Sequence, residues 1–230
     1  MRRFARAFLI SCWVRIFHLW QFCINFFKYY LWHWKFFCVD LTTFGFYFFQ
    51  NPFGLIRKFD EKHPEKHVGP YGETEFSAME KILDTFGISR ELVMADMGSG
   101  RGRLCFWLRL VRGQKSVIGV DQFPLFVERA RKIQNWFGVS DLVFLNERWE
   151  KVSLEGVDVV YLYGSALEDD VIESLAEHLL KLPKGTKIIT TSYWLGEFFP
   201  EKFQLEAQTR ARFIWGSGDV YLQSVSSIGK

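Results

Sequence analysis

Short apolar runs alternate with stretches of helical spacing from Gly69 to the end of the chain. Short, continuous apolar runs are typical of buried strands, whereas apolar residues three and four positions apart are typical of amphipathic helices. Five strands are predicted in this way, at ELVMADM, KSVIGVD, LVFLN, VDVVYLYG and TKIITTSYW. Four helices are predicted, from a cap at Thr74 to Phe86, at GRLCFWLRLV, from Phe123 to Phe137 and from Asp169 to Leu182. Strands that alternate with helices predict a parallel sheet with right-handed crossovers.

The C-terminal end of the chain has a different pattern. The segments FQLEAQTRARFIW and DVYLQSV flank the tripeptide GSG. Two strand-like segments around a glycine turn predict an antiparallel hairpin. With the five preceding strands, this hairpin predicts an α/β fold with a mostly parallel, seven-stranded sheet.

The first 56 residues are rich in aromatic and basic side chains and separate into two halves on a helical projection of ~100° per residue. The polar half contains Arg6, Arg15, His18, Gln21, Asn25, Lys28 and Lys35, and the apolar half contains Cys12, Ile16, Leu19, Trp20, Cys23, Phe27, Tyr30 and Trp34. A helix that is basic on one side and aromatic on the other favours a position in a membrane interface. Two alternatives remain open: a cap or partner-binding helix whose aromatic side packs on protein, and a tilted or re-entrant membrane span.

An ordinary transmembrane helix or a secretory signal does not fit this segment. The longest uncharged run before Asp40 extends from Ile16 to Phe27, short of the ~20 residues that a bilayer requires. Arg15 interrupts the apolar region, and no cleavage site with small residues follows it.

Composition supports a division of the chain into two parts. Residues 1–39 contain six basic and no acidic residues, and residues 1–59 hold 21 of the 42 aromatic residues. We therefore predict an aromatic and basic helical segment at 1–56, a charged linker at 57–68 and an α/β domain at 69–230. The net charge of +3 is too small to indicate a nucleic-acid partner. The four cysteines form no CxxC pair, so no metal site is expected and a reducing, intracellular compartment is favoured.

The stretch DMGSGRGR places three glycines at alternate positions between a predicted strand and a predicted helix. Glycine adopts positive φ and lets a ligand approach the bare backbone, and a helix that begins there offers unpaired N–H groups. A dinucleotide fingerprint would need its third glycine at position 103, which is an arginine, and no G-K-[ST] follows as in a P-loop. Asp121 ends the next strand, ~20 residues later, where an acidic residue can accept both ribose hydroxyls.

The pattern D-x-G-x-G-x-G, together with Asp121 and the closing hairpin, resembles motif I and the overall plan of the class I S-adenosylmethionine-dependent methyltransferases. The segments PYGET, DMGSGRGR, LNERWE, VDVVYLYGSA and WGSGDVYL are similar to a group of small-protein lysine methyltransferases that includes the enzymes modifying the ATP synthase c-subunit. Members of that group carry a hydrophobic segment ahead of a Rossmann-like catalytic domain. The resemblance implies S-adenosyl-L-methionine as the cofactor. Residues expected to bind it are Tyr71, Glu73, Thr74, Asp96, Gly98, Ser99, Gly100, Gly102, Asp121, Gln122 and Glu147.

The resemblance also implies a transfer site after the fourth strand, at Tyr161, Tyr163, Gly164 and Ser165. Tyr161, Tyr163 and Glu73 are the expected catalytic residues, with Glu73 either orienting the cofactor amine or acting as a base. Trp149 and Trp194 are further candidates for an aromatic mouth. The chain lacks the N/D-P-P-Y motif of amino methylation on nucleobases and glutamine, and Gly164 and Ser165 depart from the lysine group.

Three functions are therefore compatible with the sequence. The first is a protein lysine methyltransferase attached to a membrane surface through residues 1–56, on the cytoplasmic face or, in a eukaryote, in mitochondria. The second is a methyltransferase of a small or lipid-borne acceptor, and the third is a non-catalytic scaffold with the cofactor fold. A nucleic-acid partner is not expected in any of the three.

Overall fold

The computed structural model describes residues 16–17, 19–62, 71–164, 167 and 169–226. Helix α1 comprises helical residues 19–25 and a π-helical turn at Phe26–Tyr30. The remaining helices are α2 (Trp34–Tyr47), α3 (Pro52–Lys62), α4 (Phe76–Thr85), α5 (Arg103–Trp107, continued by a π-helical turn at Leu108–Arg112), α6 (Pro124–Phe137) and α7 (Asp169–Leu179). The strands are β1 (Val93–Met97), β2 (Ser116–Asp121), β3 (Leu142–Asn146), β4 (Val159–Leu162), β5 (Lys187–Thr191), β6 (Phe203–Phe213) and β7 (Gly216–Val225).

The strands form one seven-stranded sheet in the order β3-β2-β1-β4-β5-β7-β6. Pairs among β1 to β5 are parallel, and β7 runs antiparallel to both β5 and β6. The predicted α/β fold with a C-terminal antiparallel hairpin is therefore confirmed. Strand order reverses between β1 and β4, and ligands of open α/β sheets bind beyond the carboxyl ends of the strands at such a switch point.

Alternate residues of β1 enter different cores on the two faces of the sheet. Met94 joins the larger cluster with α4 and α5, whereas Ala95 and Met97 join the cluster beneath α7. All four residues of β4 are buried. Strands covered on both faces read as continuous apolar runs, which explains why the sequence pattern located them correctly.

The start of α4 and the turn of the hairpin differ in detail from the prediction. Glu75, and not Thr74, is the N-cap residue of α4, because the Thr74 hydroxyl is hydrogen-bonded to Tyr161 Oη at 2.7 Å. The hairpin turn is tighter than the GSG tripeptide suggested, since β6 ends at Phe213 and β7 already begins at Gly216.

The N-terminal segment shares its packing with the α/β domain. Tyr29, Phe36 and Val39 belong to the main core, together with residues of α4 and α5. Tyr47 and Ile56 form a smaller cluster with Phe123 and Phe126 at the start of α6. Helix α3 continues to Lys62, so the first six residues of the predicted linker are helical. The rest of that linker, with His63 and His67, lies outside the described residues.

Helix α1 turns its polar half, and not its aromatic half, toward the α/β domain, which is the reverse of what the cap alternative predicts. Gln21 and Asn25, from the polar half, are only 7% and 8% exposed, and Lys28 contacts Glu80 of α4. Leu19 and Phe27, from the apolar half, are 65% and 67% exposed. The polar half thus faces the α/β domain and much of the apolar half faces outward, with Tyr30 as a buried exception.

The exposed apolar side chains of the protein are concentrated in this part of the chain. Of the 17 large hydrophobic residues found exposed in the described ranges, 13 lie between Ile16 and Phe53. Within those ranges, no helix combines the length and apolarity needed to cross a bilayer. Exposed apolar side chains that are concentrated in one part of a protein are typical of an interaction site.

Candidate functional site

The glycine turn begins directly where β1 ends. Gly98, Gly100 and Gly102 have φ values of +90°, +53° and +79°, in the region that favours glycine. The backbone N–H groups of Gly98 and Ser99 donate to the Val120 carbonyl at 2.8 and 2.9 Å, which ties the turn to β2. Space is also restricted, because a Cβ at Gly102 would lie 2.7 Å from the Phe144 ring.

Asp121 closes the turn from the end of β2. One carboxylate oxygen accepts the Gly100 N–H at 2.7 Å, and the other accepts the Phe123 N–H at 2.8 Å. Burial raises the pKa of Asp121 to about 6, against the lowering effect of these two backbone donors. A carboxylate has about four acceptor positions, so two remain for hydroxyl groups of a ligand.

Asp96 and Ser99 supply further polar atoms beside the turn. Asp96 is 4% exposed, accepts a weak hydrogen bond from Cys105 Sγ at 3.4 Å, and has its pKa raised to about 7 by burial. The Ser99 hydroxyl is buried and has no hydrogen-bond partner among the described residues. Unused buried polar atoms next to a backbone cradle are what a nucleoside ligand would satisfy.

A small cleft joins these residues to the loop before α4. It is lined by Gly72, Glu73, Thr74, Asp96, Gly98, Ser99, Arg103, Leu104 and Tyr163. Tyr71 packs against the turn, since a Cβ at Gly100 would lie 3.2 Å from its ring. Gln122 directly follows Asp121. Glu147 is exposed after β3, and its N–H donates to the Asp121 carbonyl at 3.3 Å. The fold therefore brings the predicted cofactor residues to one edge of the sheet.

Glu73 is held by two arginines. Arg101 donates to both of its carboxylate oxygens, at 2.6 and 2.7 Å, and Arg103 donates at 2.9 Å. The Tyr71 hydroxyl contributes another hydrogen bond. Burial opposes ionisation of Glu73, but the charges of Arg101 and Arg103 outweigh it and hold its pKa well below the usual range. A carboxylate held in this way is suited to orienting a group and is a poor proton acceptor.

Arg103 connects this cluster to the N-terminal segment. Its guanidinium donates to both carboxylate oxygens of Asp40, a residue of α2 that also accepts a hydrogen bond from Tyr30. Sequence reasoning missed Arg101, Arg103 and Asp40 as site residues. Asp40 is the first acidic residue of the chain and follows 39 residues without one, and this was the signal in the sequence that could have singled it out.

The two tyrosines of the predicted transfer site have different positions. Tyr163 lines the cleft, crowds Gly72 and accepts a hydrogen bond from Trp215 Nε1 at 2.7 Å. Tyr161 is fully buried in the core, where its hydroxyl fixes Thr74. Tyr163 therefore faces the cleft, whereas Tyr161, expected as a catalytic residue, does not line it and contacts Thr74, which does. Ser165 lies outside the described residues.

A larger cavity of about 520 Å³ opens beside the cleft. The N-terminal helices provide Phe17, Gln21, Phe22, Asn25, Tyr30, Phe44, Pro52 and Phe53 to its wall, and the α/β domain provides residues including Glu75, Phe76, Leu167, Ile214 and Trp215. Gly72, Glu73, Thr74, Arg103 and Tyr163 line both spaces. Trp149 packs near Gly98, and Trp194 precedes the short 3₁₀ helix after β5. Neither is among the residues lining the cavity.

A family described as a methyltransferase domain matches residues 88–220, which is more than half of the chain. The chain belongs to this methyltransferase family. The predicted fold class and the predicted cofactor, S-adenosyl-L-methionine, are thereby confirmed at the level of the family. The residues of the glycine turn and Asp121 fall inside the matched range.

Similar solved structures share the fold at low sequence identity. One is an RNA methyltransferase from Salinibacter ruber in complex with S-adenosyl-L-homocysteine, which is 21% identical and superposes with a TM-score of 0.57. The match covers 69% of this chain and 97% of that enzyme's chain. The B. subtilis M1A22 tRNA methyltransferase TrmK is 16% identical with a TM-score of 0.53, covering 65% of each chain.

One curated relative is a protein-modifying enzyme. The histone-lysine N-methyltransferase specific for H3 lysine-79 from Caenorhabditis elegans is 28% identical in an alignment of 136 residues that covers 53% of this chain. The chain spans only 14% of that enzyme's length. Because the similar proteins act on RNA and on protein, the comparisons do not support the expectation that nucleic acid is excluded as a partner.

Proposed function

We propose that this protein transfers a methyl group from S-adenosylmethionine to an amine, with a lysine side chain of a membrane-associated protein as the acceptor. The observation that carries the proposal is the aromatic cavity that meets the cofactor cleft at Tyr163 and Gly72. The predicted cofactor residues around the glycine turn would hold S-adenosylmethionine, which supplies an electrophilic methyl group. The chain's own residues then orient the acceptor and keep water away.

The walls of the cavity suit an amine on an apolar stem. Phe17, Phe22 and Phe53 provide apolar surface, and Tyr163 lies where the two spaces meet. An amine must lose a proton before its nitrogen can attack, and desolvation among aromatic rings favours the neutral form. Holding donor and acceptor in line within a dry site supplies much of the rate of such a transfer.

The N-terminal segment supports a location at a membrane surface. Helix α1 presents Leu19 and Phe27 outward, while its polar half contacts the α/β domain. The segment before Asp40 also carries six basic and no acidic residues. Lys28 is paired with Glu80, and each other base that comes near the surface would attract anionic lipid at about 1 kcal/mol. An intracellular membrane surface is therefore the proposed location.

A small or lipid-borne acceptor is the second candidate. A cavity of about 520 Å³ is large enough to enclose a small molecule, since ligand pockets are commonly ~300–1,000 Å³. The aromatic side chains in its wall suit an apolar ring as well as an alkyl chain.

Transfer of a labelled methyl group distinguishes these candidates. The full-length protein is incubated with methyl-labelled S-adenosylmethionine and, separately, with soluble proteins, membrane proteins, extracted lipids and RNA from the source cell. Label in membrane protein that is recovered as methyl-lysine after hydrolysis supports the proposal. Label in lipid or in RNA would replace it with that acceptor class, and label in no fraction would favour the non-catalytic scaffold.

A further inference from the structure

Glu75 has a carboxylate oxygen that nothing in the described structure satisfies. Its backbone caps α4, with the carbonyl accepting the N–H groups of Ala78 and Met79 at 3.0 Å, but its side chain makes no cap hydrogen bond. The Oε2 atom is buried, has no hydrogen-bond partner among the described residues, and belongs to a residue that lines the aromatic cavity. A buried carboxylate oxygen without a donor is unfavourable, so a ligand that brings an N–H group would stabilise it.

A second unsatisfied acceptor lies in the same wall. Asn25 Oδ1, from α1, is likewise buried without a partner among the described residues and lines the cavity. Both atoms accept hydrogen bonds and neither can donate. An alkylammonium group has three donors and no acceptor, which makes it the complementary ligand.

The charges around the cavity favour a cation over an anion. Arg101 and Arg103 are engaged by Glu73 and Asp40. With Glu75 ionised, Glu75, Glu73 and Asp40 bring three carboxylates to this region, against the two guanidinium groups. The remaining negative charge is therefore available to a cation from the acceptor.

We propose that Glu75 recognises the acceptor by binding the ammonium group of a primary alkylamine, such as the end of a lysine side chain, inside the aromatic cavity. This inference rests on the proposed function. It assigns the selectivity for the methyl acceptor to Glu75, a residue that the sequence pattern did not predict as part of the site. The carboxylate selects amines against hydroxyl and phosphate acceptors, and the apolar wall accommodates the alkyl stem. Before transfer, the ammonium group gives one proton to the Glu75 carboxylate, and the neutral nitrogen then attacks the methyl group.

Recognition by Glu75 makes amine binding dependent on pH. The pKa of Glu75 is raised to about 7, mainly by burial and also by the charge of Glu73, against the lowering effect of the backbone N–H groups of Glu75 and Ile214 and of the charge of Arg103. The pKa of Glu73 is below this range and those of Arg101 and Arg103 are above it, so these groups keep their charges between pH 6 and 8. Asp96, whose pKa is about 7, lines the cofactor cleft and not the cavity.

The test uses n-hexylamine as the probe and 1-hexanol as its uncharged counterpart, titrated calorimetrically into the full-length protein saturated with S-adenosyl-L-homocysteine. At pH 8 the amine is expected to bind at least tenfold more tightly than the alcohol. At pH 6 its affinity is expected to fall about tenfold, because only about one Glu75 in ten remains ionised. Glu75→Gln should remove both the preference and the pH dependence. Glu155→Gln, which changes an exposed glutamate between β3 and β4 that does not line the cavity, should retain them.

Each result bears on the inference in a defined way. Amine binding that is equal in the wild type and in Glu75→Gln would overturn the role of Glu75 while leaving the proposed function in place. Wild-type protein that does not prefer the amine, or prefers it equally at pH 6 and pH 8, would overturn the inference without any variant. If Glu75→Gln fails to bind S-adenosyl-L-homocysteine, the wild-type pH dependence and the amine–alcohol comparison decide. The labelled-methyl experiment remains the separate test of the proposed function.

Discussion

Asp40 of α2 and Arg103 of α5 form a two-pronged ion pair, with Nε to Oδ1 at 2.6 Å and Nη2 to Oδ2 at 2.8 Å. Asp40 is 2% exposed, and the same guanidinium also donates to Glu73 at 2.9 Å. The N-terminal segment thus contributes a charge to the cluster that fixes Glu73 beside the cofactor cleft. This connection makes α2 a part of the site as well as a cover for the core.

Replacing Asp40 with Asn should destabilise the protein strongly. In the variant, the one carboxylate left to the Arg103 guanidinium in this cluster is that of Glu73, which also pairs with Arg101. Breaking a buried ion pair costs roughly 3–5 kcal/mol. Glu61→Gln is the matched control, because its pair with Arg57 spans 3.9 Å with both side chains at least 66% exposed. Urea unfolding should show a loss of about 3 kcal/mol for Asp40→Asn and less than about 1 kcal/mol for the control. Equal losses in the two variants would contradict this account of the pair.

Replacing Asp121 with Ala should weaken cofactor binding at least tenfold. The carboxylate supports the turn through the Gly100 and Phe123 N–H groups and offers acceptors to ribose hydroxyls. Each hydrogen bond to a charged group contributes about 1.5–3 kcal/mol. Calorimetric titration with S-adenosyl-L-homocysteine measures the change, and Asp141→Asn, at an exposed position beyond the site, serves as the control. An unchanged dissociation constant for Asp121→Ala would show that this residue only ends a strand.

Asp96 should make stability depend on pH. Burial raises its pKa to about 7, whereas an unfolded aspartate titrates near pH ~4, so the folded state holds this proton more tightly. The Asp96 contribution is therefore fully present below about pH 4 and is lost as pH rises through about 7. Asp96→Asn should flatten this part of the profile and gain stability relative to the wild type at pH 8. Urea unfolding at pH 5 to 8 tests the difference, with Asp219→Asn as the control. Parallel profiles for wild type and Asp96→Asn would refute it.

The outward side of α1 should attach the protein to anionic vesicles. Removing the whole segment would also strip Tyr29, Phe36 and Val39 from the core, so point variants give the sharper experiment. The double variant Leu19→Ser/Phe27→Ser changes two exposed residues and should reduce flotation with anionic vesicles at least tenfold, because buried apolar area drives interfacial binding. Val143→Ser/Leu205→Ser alters two exposed residues on strands and should float like the wild type. If both double variants float like the wild type, or if both lose flotation, the outward side of α1 is not the membrane-binding surface.

The sequence predicted the sheet and the cofactor turn because both depend on local patterns. The buried strands are continuous apolar runs, and the glycine turn needs positive φ at positions that only glycine occupies easily. Asp121 was predicted as a cofactor residue because it stands at the end of β2. These features are determined by neighbours along the chain, and the structure places them where the pattern indicated.

The rest of the site depends on contacts that are distant in sequence. Asp40 and Arg103 are 63 positions apart, and the place of Asp40 as the first acidic residue of the chain does not identify its partner. The orientation of α1 was equally hidden, because an amphipathic pattern identifies two sides but not which side contacts protein. Gln21 accepts a hydrogen bond from Ser77 of α4, and Asn25 lines the cavity. Both residues therefore face inward because of contacts that form only when the chain folds.

The central claim is that the glycine turn and Asp121 form a site for S-adenosylmethionine, on which the account of the acceptor cavity depends. Calorimetric titration of the full-length protein with S-adenosylmethionine, S-adenosyl-L-homocysteine and NAD tests it most directly. The third glycine at position 102, in place of the dinucleotide spacing, predicts binding of the first two ligands and no binding of NAD. Binding of NAD without binding of S-adenosylmethionine would contradict the account.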